Sequence, residues 1–197
     1  MSDNMHVPDF IDIAEDTQKA AQAAMNRSFV LTPPEDAVVS VAKNGDEYKR
    51  WVEGGVIEDT WREGTASGLV VAVAQVKIRS GYPNQHERVW ARHMLHPKVL
   101  LGQGNEQEKK SYEGMNNRSI NAITTLLQAT GYAPTSGGLS KRLLEMMFPI
   151  KNQPGAKAPV VGKSVMLNLV DQPNRGEKAR SPRQTTVDSY LPDVVEA

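Results

Sequence analysis

Cysteine is absent from the 197 residues of this chain, and its absence excludes a disulfide framework and a zinc site built on thiolates. Long apolar runs are also lacking, since no window approaches the ~20 apolar residues that a membrane-spanning helix needs. The first residues, Met1-Ser-Asp-Asn-Met-His-Val-Pro8, contain neither the basic nor the apolar region expected of a secretory signal. These absences favour a cytoplasmic protein that does not enter a membrane and whose fold depends on packing alone.

A net charge is lacking too, because 23 Lys and Arg residues balance 23 Asp and Glu residues. The two signs are nevertheless segregated along the chain. Residues 76–186 contain 17 basic and 7 acidic residues, a net charge of +10, and the remaining residues sum to −10. A basic body with acidic ends is typical of a protein that binds a polyanion. The alternative is that the basic side chains only coat a solvated surface.

The chain divides into three predicted segments. Residues 1–34 form an N-terminal arm, helical or flexible, because its helix formers present a thin apolar face and Pro33 and Pro34 end it. Residues 35–190 are long enough to bury one core and form the predicted binding domain. Residues 191–197 form an acidic C-terminal tail.

Apolar and alternating runs predict strands at 37–42, 48–53, 68–79, 87–95, 160–170 and 184–190. The third and fourth of these runs should form an antiparallel hairpin across the turn Gly81-Tyr-Pro-Asn84. Two helices are predicted between the fourth and fifth runs, at 116–131 and 138–148, after a mobile polar loop over 97–112.

We therefore predict a mainly β fold with a helical insert, of the α+β class. The order of strands and helices resembles the OB fold, a five-stranded antiparallel barrel. In that barrel, one or two helices lie between strands 3 and 4.

Basic and aromatic residues interleave on the predicted hairpin, at Lys77, Arg79, Tyr82, Arg88, Trp90 and Arg92. Trp90 shares a face with Arg88 and Arg92, so burying its ring in the core would bury their charges as well. An exposed indole can instead stack on a base, which is worth about 1–3 kcal/mol, while the guanidinium groups contact phosphates. The alternative is an Arg–Trp cation–π cluster that only covers the sheet.

Other candidates lie elsewhere in the chain. Trp51 follows two basic residues and is a candidate second platform, whereas Trp61 lies among acidic residues, which favours a structural role. Tyr112 lies in the predicted loop and could close over a bound strand, or simply anchor that loop. A second basic hairpin, suited to following a phosphate backbone, carries Lys163, Arg175, Lys178, Arg180 and Arg183.

Two further patterns are rejected. Gly162-Lys163-Ser164 suggests a phosphate-binding loop, but Lys157 stands where that motif needs its first glycine, and a strand follows instead of a helix. His93 and His96 lie three apart on a strand, hence on opposite sides, so we expect no metal. No catalytic constellation stands out, and we expect neither enzymatic activity nor a cofactor.

Several runs together resemble bacteriophage single-stranded DNA-binding proteins of the OB type. They are Thr65–Arg79, Arg88-Val-Trp90, Asn117–Gly131, Val161-Gly-Lys-Ser-Val165 and Gln172-Pro-Asn174, and the resemblance covers about residues 37–192. It implies that a barrel groove holds the strand. It also implies that an acidic C-terminal tip, here Asp188, Asp193 and Glu196, recruits replication or recombination proteins in the host cytoplasm.

The sequence thus predicts a protein that binds single-stranded DNA without strong sequence preference, in replication, recombination or repair. Two alternatives remain open: a phage structural or adaptor protein that binds other proteins, and a nuclease or strand-annealing factor. The sequence leaves open whether the chain forms a homo-oligomer.

Overall fold

The computed structural model describes residues 29–65, 68–100, 102–132, 139–151, 157–174 and 181–193. Its elements are β1 (Val38–Val41), β2 (Glu47–Gly64), β3 (Val70–Ile78), β4 (Arg88–Leu95), α1 (Pro97–Leu100), α2 (Glu106–Ala129), α3 (Lys141–Met147), β5 (Ser164–Pro173) and β6 (Arg183–Pro192). The strands form one antiparallel sheet in the order β4-β3-β2-β5-β6, with β1 paired to β2. The predicted mainly β fold with a helical insert is confirmed.

The predicted hairpin of β3 and β4 is confirmed. Val76 lies opposite Val89 and Ala74 opposite Ala91, and all four side chains are buried in the core. The intervening residues of β4 point to the other face of the sheet, as a period of two requires.

Strand β2 is much longer than predicted. The sequence interpretation ended this strand at Glu53, because two glycines and several charged residues follow it, but the strand continues to Gly64. Along its first half β2 pairs with β1 and β5, and along its second half with β3. Gly54 and Gly55 lie where β2 passes from the first set of partners to the second, and glycine permits close backbone approach there.

Helix α2 begins ten residues earlier than predicted. Asn105 caps it: its side chain accepts a hydrogen bond from the Glu108 amide, and the Glu108 carboxylate accepts one from the Asn105 amide. The predicted mobile loop over 97–112 is therefore wrong, because α1 and the first two turns of α2 occupy it. Those turns are polar and lack the apolar stripe that identifies a helix in a sequence.

The C-terminal half of α2 covers the core side of the sheet. Ile123, Leu126 and Leu127 are fully buried there, together with Phe148, which follows α3. Gly131 has a φ of 83°, which glycine adopts freely, and the predicted end of the helix is confirmed.

The two end strands of the sheet order, β4 and β6, are connected by a buried pair of side chains. His93 Nε2 of β4 and the Tyr190 hydroxyl of β6 share a hydrogen bond of 3.0 Å. Burial lowers the pKa of His93 to about 4 and raises the pKa of Tyr190. At pH 7 both groups are therefore neutral, so the pair needs no compensating charge in the core.

The last residues of the predicted N-terminal arm contact the sheet. Phe29 forms a bridge with Thr185, and the buried Leu31 donates its amide hydrogen to the Thr185 hydroxyl at 2.9 Å. Residues 1–28 of that arm lie outside the described residues. Within the described ranges, no helix is long and apolar enough to cross a membrane.

Candidate nucleic-acid interface

The candidate interface is the side of the β3–β4 hairpin that faces away from the core. Lys77 lies opposite Arg88, and Val73 lies opposite Arg92, with Trp90 between the two arginines. Four of the six predicted site residues of this hairpin lie on this side and are half-buried or exposed, namely Lys77, Arg88, Trp90 and Arg92. We call this surface, together with the adjoining residues of β2, the outer face.

Trp90 is held at its polar edge. Its Nε1 donates a hydrogen bond to Gln75 Oε1 at 3.2 Å, and Gln75 Nε2 donates one to Glu58 Oε2 at 2.8 Å. The indole is half-buried, so part of its ring surface remains accessible. A ring fixed in this way loses little further freedom when another planar group stacks on it.

Arg88 is engaged by a carboxylate of β2. Its Nε donates to Glu58 Oε2 at 2.6 Å, and its Nη2 donates to Glu58 Oε1 at 3.4 Å. This contact lowers the pKa of Glu58 and raises the pKa of Arg88. The sheet register shifts between Ile57 and Asp59, and this irregularity brings Glu58 within reach of Arg88. A phosphate would have to replace Glu58 as the partner of Arg88.

Trp61 also lies on the outer face, although its acidic neighbours favoured a structural role. It pairs with Val73, which pairs with Arg92 on its other side. The Trp61 indole N–H donates a hydrogen bond to Glu63, which is only 1% exposed. Lys151 neutralises that carboxylate at 2.7 Å and lies 5.0 Å from the centre of the Trp61 ring. The charge near Trp61 is therefore compensated, which the linear sequence does not reveal.

Arg79 and Tyr82 lie at one end of the outer face, above Gly54 of β2. Arg79 contacts Asp193 through both guanidinium Nη atoms, at 2.6 and 2.9 Å. The Tyr82 hydroxyl lies 3.4 Å from the sulfur of Met166, and its ring lies 5.8 Å from the guanidinium carbon of Arg79. A Cβ on Gly54 would collide with both the Arg79 and Tyr82 side chains, so glycine leaves room for them to lie across β2 here.

The remaining predicted site residues are not gathered on this surface. Tyr112 lies on α2, where its ring stacks on His96 at 4.4 Å, so the prediction that it closes a loop over a bound strand is wrong. Arg183 bonds Asp171 at 2.5 Å and the Glu47 carbonyl at 2.9 Å, and it thereby ties β6 to β5 and β2. Lys163 is exposed in the turn before β5, whereas Arg175, Lys178 and Arg180 lie outside the described residues.

Trp51 belongs to the core, so the hypothesis of a second platform there is wrong. It is only 7% exposed, and its Nε1 donates to Glu53 Oε1 at 2.7 Å. Glu53 is fully buried and also accepts hydrogen bonds from the Asn84 backbone and side-chain amides. This network holds β2 against the turn that precedes β4.

The three histidines that the structure describes do not form one cluster. His93 bonds Tyr190 and His96 stacks on Tyr112, while His86 is exposed with a φ of 73°. Among the residues that the structure describes, no group of three or more histidine and acidic side chains is placed to hold a metal ion. The sequence of the chain matches no protein-family model and no curated protein.

Proposed function

We propose that this protein binds single-stranded DNA, without strong sequence preference, on the outer face. The observation that carries the proposal is the grouping of two partly accessible indoles with several cations on one side of the sheet. Trp61 and Trp90 would stack on bases, and the cations Lys77, Arg79, Arg88 and Arg92 would contact phosphates. Base stacking is tolerant of sequence because every base has a π face.

The fold supports this assignment if the sheet closes into an OB-like barrel of β2 to β6, which is part of the proposal. Strand β2 is shared by both halves of the sheet, and the helices fall between β4 and β5. The end strands β4 and β6 approach each other closely enough for His93 and Tyr190 to share a hydrogen bond. In OB folds the second and third barrel strands bind oligonucleotides. Those strands correspond here to β3 and β4.

Electrostatics would supply much of the affinity. Each phosphate neutralised on a single strand contributes about 0.7 to the salt dependence of log Kobs, so three to four contacts correspond to a slope of about −2 to −3. Glu58 opposes this attraction, since Arg88 must exchange it for a phosphate. Binding should therefore weaken strongly as the salt concentration rises.

A titration of oligo(dT) against the intrinsic fluorescence of the protein tests the proposal. Stacking should quench the two partly accessible indoles and leave Trp51 unchanged, because Trp51 is buried and bonded to Glu53. The Trp51→Phe variant should therefore keep the full quench, and a double Trp61→Phe and Trp90→Phe variant should lose it. An absence of salt-sensitive quenching in the unaltered protein would favour the alternative of an adaptor that binds proteins.

The C-terminal tail would bind replication or recombination proteins under the same proposal. Asp193 is already paired with Arg79, so it is not available to a partner while that contact holds. Asp188 is exposed on β6 and can contribute a negative charge. Partner binding would then require the tail to leave Arg79.

A further inference from the structure

Strand β1 is an exposed and apolar edge of the sheet. Within the described residues it pairs with β2 on one side only. Val38, Val39 and Val41 are 67%, 55% and 67% exposed, and Ser40 between them is exposed as well. Proteins usually protect such edges with charges, proline or a covering segment, because an open row of backbone groups pairs readily with another strand.

The phase of the β1–β2 pairing determines which backbone groups of β1 point outward. The Ala42 amide donates to the Asp46 carbonyl at 2.8 Å, so the backbone of Ala42 faces β2. Backbone direction alternates along an antiparallel strand. The amides and carbonyls of Val39 and Val41 therefore point away from β2, toward the open side.

We propose that β1 pairs with β1 of a second copy of this chain, antiparallel and across a two-fold axis at Ser40. In this register Val39 of each copy lies opposite Val41 of the other, and these pairs exchange four backbone hydrogen bonds. Side chains opposite each other in a sheet share a face, so all four of these valines meet on one face. Ser40 meets its own counterpart on the other face.

The charges beside β1 favour a second copy over an unrelated peptide. Strand β1 itself carries no charge, so identical strands do not repel each other. Glu35 and Lys43 lie in the turns at the two ends of β1, and both residues are exposed. Antiparallel pairing brings the Glu35 end of each copy next to the Lys43 end of the other. The two ends of the pairing are therefore complementary in charge as well as in shape.

The interface is small, so the dimer should be weak and its population should depend on concentration. A two-fold axis perpendicular to the sheet keeps its two faces distinct. The outer faces of both copies would thus lie on the same side of one continuous sheet. One DNA strand could then cross the outer faces of both copies. Only this consequence of the dimer rests on the proposed function.

The lack of cysteine makes a direct test straightforward, because an introduced thiol is the only one in the chain. The two Ser40 residues form a pair without mutual hydrogen bonds, whose Cα atoms lie about 4.5 Å apart, close enough for a disulfide. Ser40→Cys should therefore oxidise to a disulfide-linked dimer faster than Ser111→Cys, which places a thiol at an exposed site on α2. Val39→Cys, whose counterpart is not opposite it in this register, should cross-link more slowly than Ser40→Cys.

Sedimentation of the full chain without DNA provides the second measurement. The unaltered protein should pass from monomer to dimer as its concentration rises, and Val41→Lys should shift this transition to higher concentration. The matched control Val52→Lys, at an exposed site outside β1, should leave the transition unchanged.

A protein that stays monomeric at every concentration, with Ser40→Cys no faster than Ser111→Cys, overturns the proposal. A monomer in which the Ser40→Cys thiol resists alkylation would also overturn it and would assign the edge to residues 1–28 of the same chain. Because neither measurement uses DNA, failure of DNA binding leaves the result on the dimer intact.

Discussion

Arg79 and Asp193 form a two-point ion pair although 114 residues separate them in the sequence. Asp193 lies at the start of the acidic tail, and its side chain is only 7% exposed. The contact places a carboxylate where the proposed function would place a phosphate. The tail and the nucleic acid should therefore compete for Arg79.

Asp193→Asn tests this competition. The variant removes the charge that holds Arg79, and we expect oligo(dT) to bind roughly threefold to tenfold more tightly, an effect of about 1 kcal/mol. The gain should be largest at low salt, because the competition is electrostatic. Fluorescence titrations over a salt series measure it.

Asp188→Asn is the matched control, since it removes one acidic charge from an exposed position on β6. It should change the affinity much less than Asp193→Asn. Equal effects of the two variants would mean that only net charge matters and that the ion pair with Arg79 has no specific role.

Loss of the outer indoles should weaken DNA binding. Trp90→Ala removes one stacking surface, and we expect a loss of about 1–3 kcal/mol in binding free energy. Trp61→Ala should cost a comparable amount, and Trp90→Phe should recover part of the loss. Equilibrium binding to oligo(dT) measures these changes, and circular dichroism checks the fold. Unchanged affinity in both alanine variants would exclude stacking on this face.

His93 should make the stability of the fold depend on pH. The unfolded chain takes up a proton at the ordinary pKa of 6.5, whereas burial delays protonation of the folded His93 to about 4. Between these values the unfolded state binds more protons, so stability falls as the pH falls from 6.5 toward 4. At pH 5 this group should make the folded state about 2 kcal/mol less stable than it is at pH 7.5.

Urea unfolding of the unaltered protein and of His93→Gln separates this contribution from those of other groups. Glutamine can still bond the Tyr190 hydroxyl but does not titrate. The variant should be less sensitive to acid over this range. A pH dependence identical in the two proteins would contradict the assignment to His93.

Gly54→Ala should destabilise the fold. The added Cβ would lie 2.7 and 2.8 Å from ring carbons of Tyr82 and would also collide with Arg79. Overpacking of this kind costs about 1–3 kcal/mol. Gly114→Ala is the control, because its added Cβ on α2 meets nothing within 4 Å and alanine favours the helix by up to about 1 kcal/mol. Thermal unfolding should show shifts of opposite sign.

Local patterns predicted those parts of the fold that depend on neighbouring residues. The alternation along 87–95 indicated which face Trp90 occupies, and Gly131 marked the end of α2. The continuation of β2 through Gly54 was missed, because two glycines normally weaken a strand and only the partner strands stabilise them here. The start of α2 was missed because its capping box precedes a polar segment.

The sequence likewise predicted only part of the candidate interface. The cations and the indole of the β3–β4 hairpin share a face because one register joins them. The role of Trp61 depends on Lys151, which is 90 residues away and neutralises the acidic neighbour Glu63. The pairing of Arg79 with Asp193 is likewise a product of tertiary structure. Short-range periodicity contains no information about either contact.

The position of β2 has a consequence for the order in which the molecule opens. Gly55 and Val56 are paired on both sides, with β3 and with β5. Each of these amides points toward only one of the two neighbouring strands, so one is shielded by β3 and the other by β5. Deuterium uptake at both amides should therefore report the opening of both halves of the sheet, whereas uptake at β1 reports only fraying of its edge.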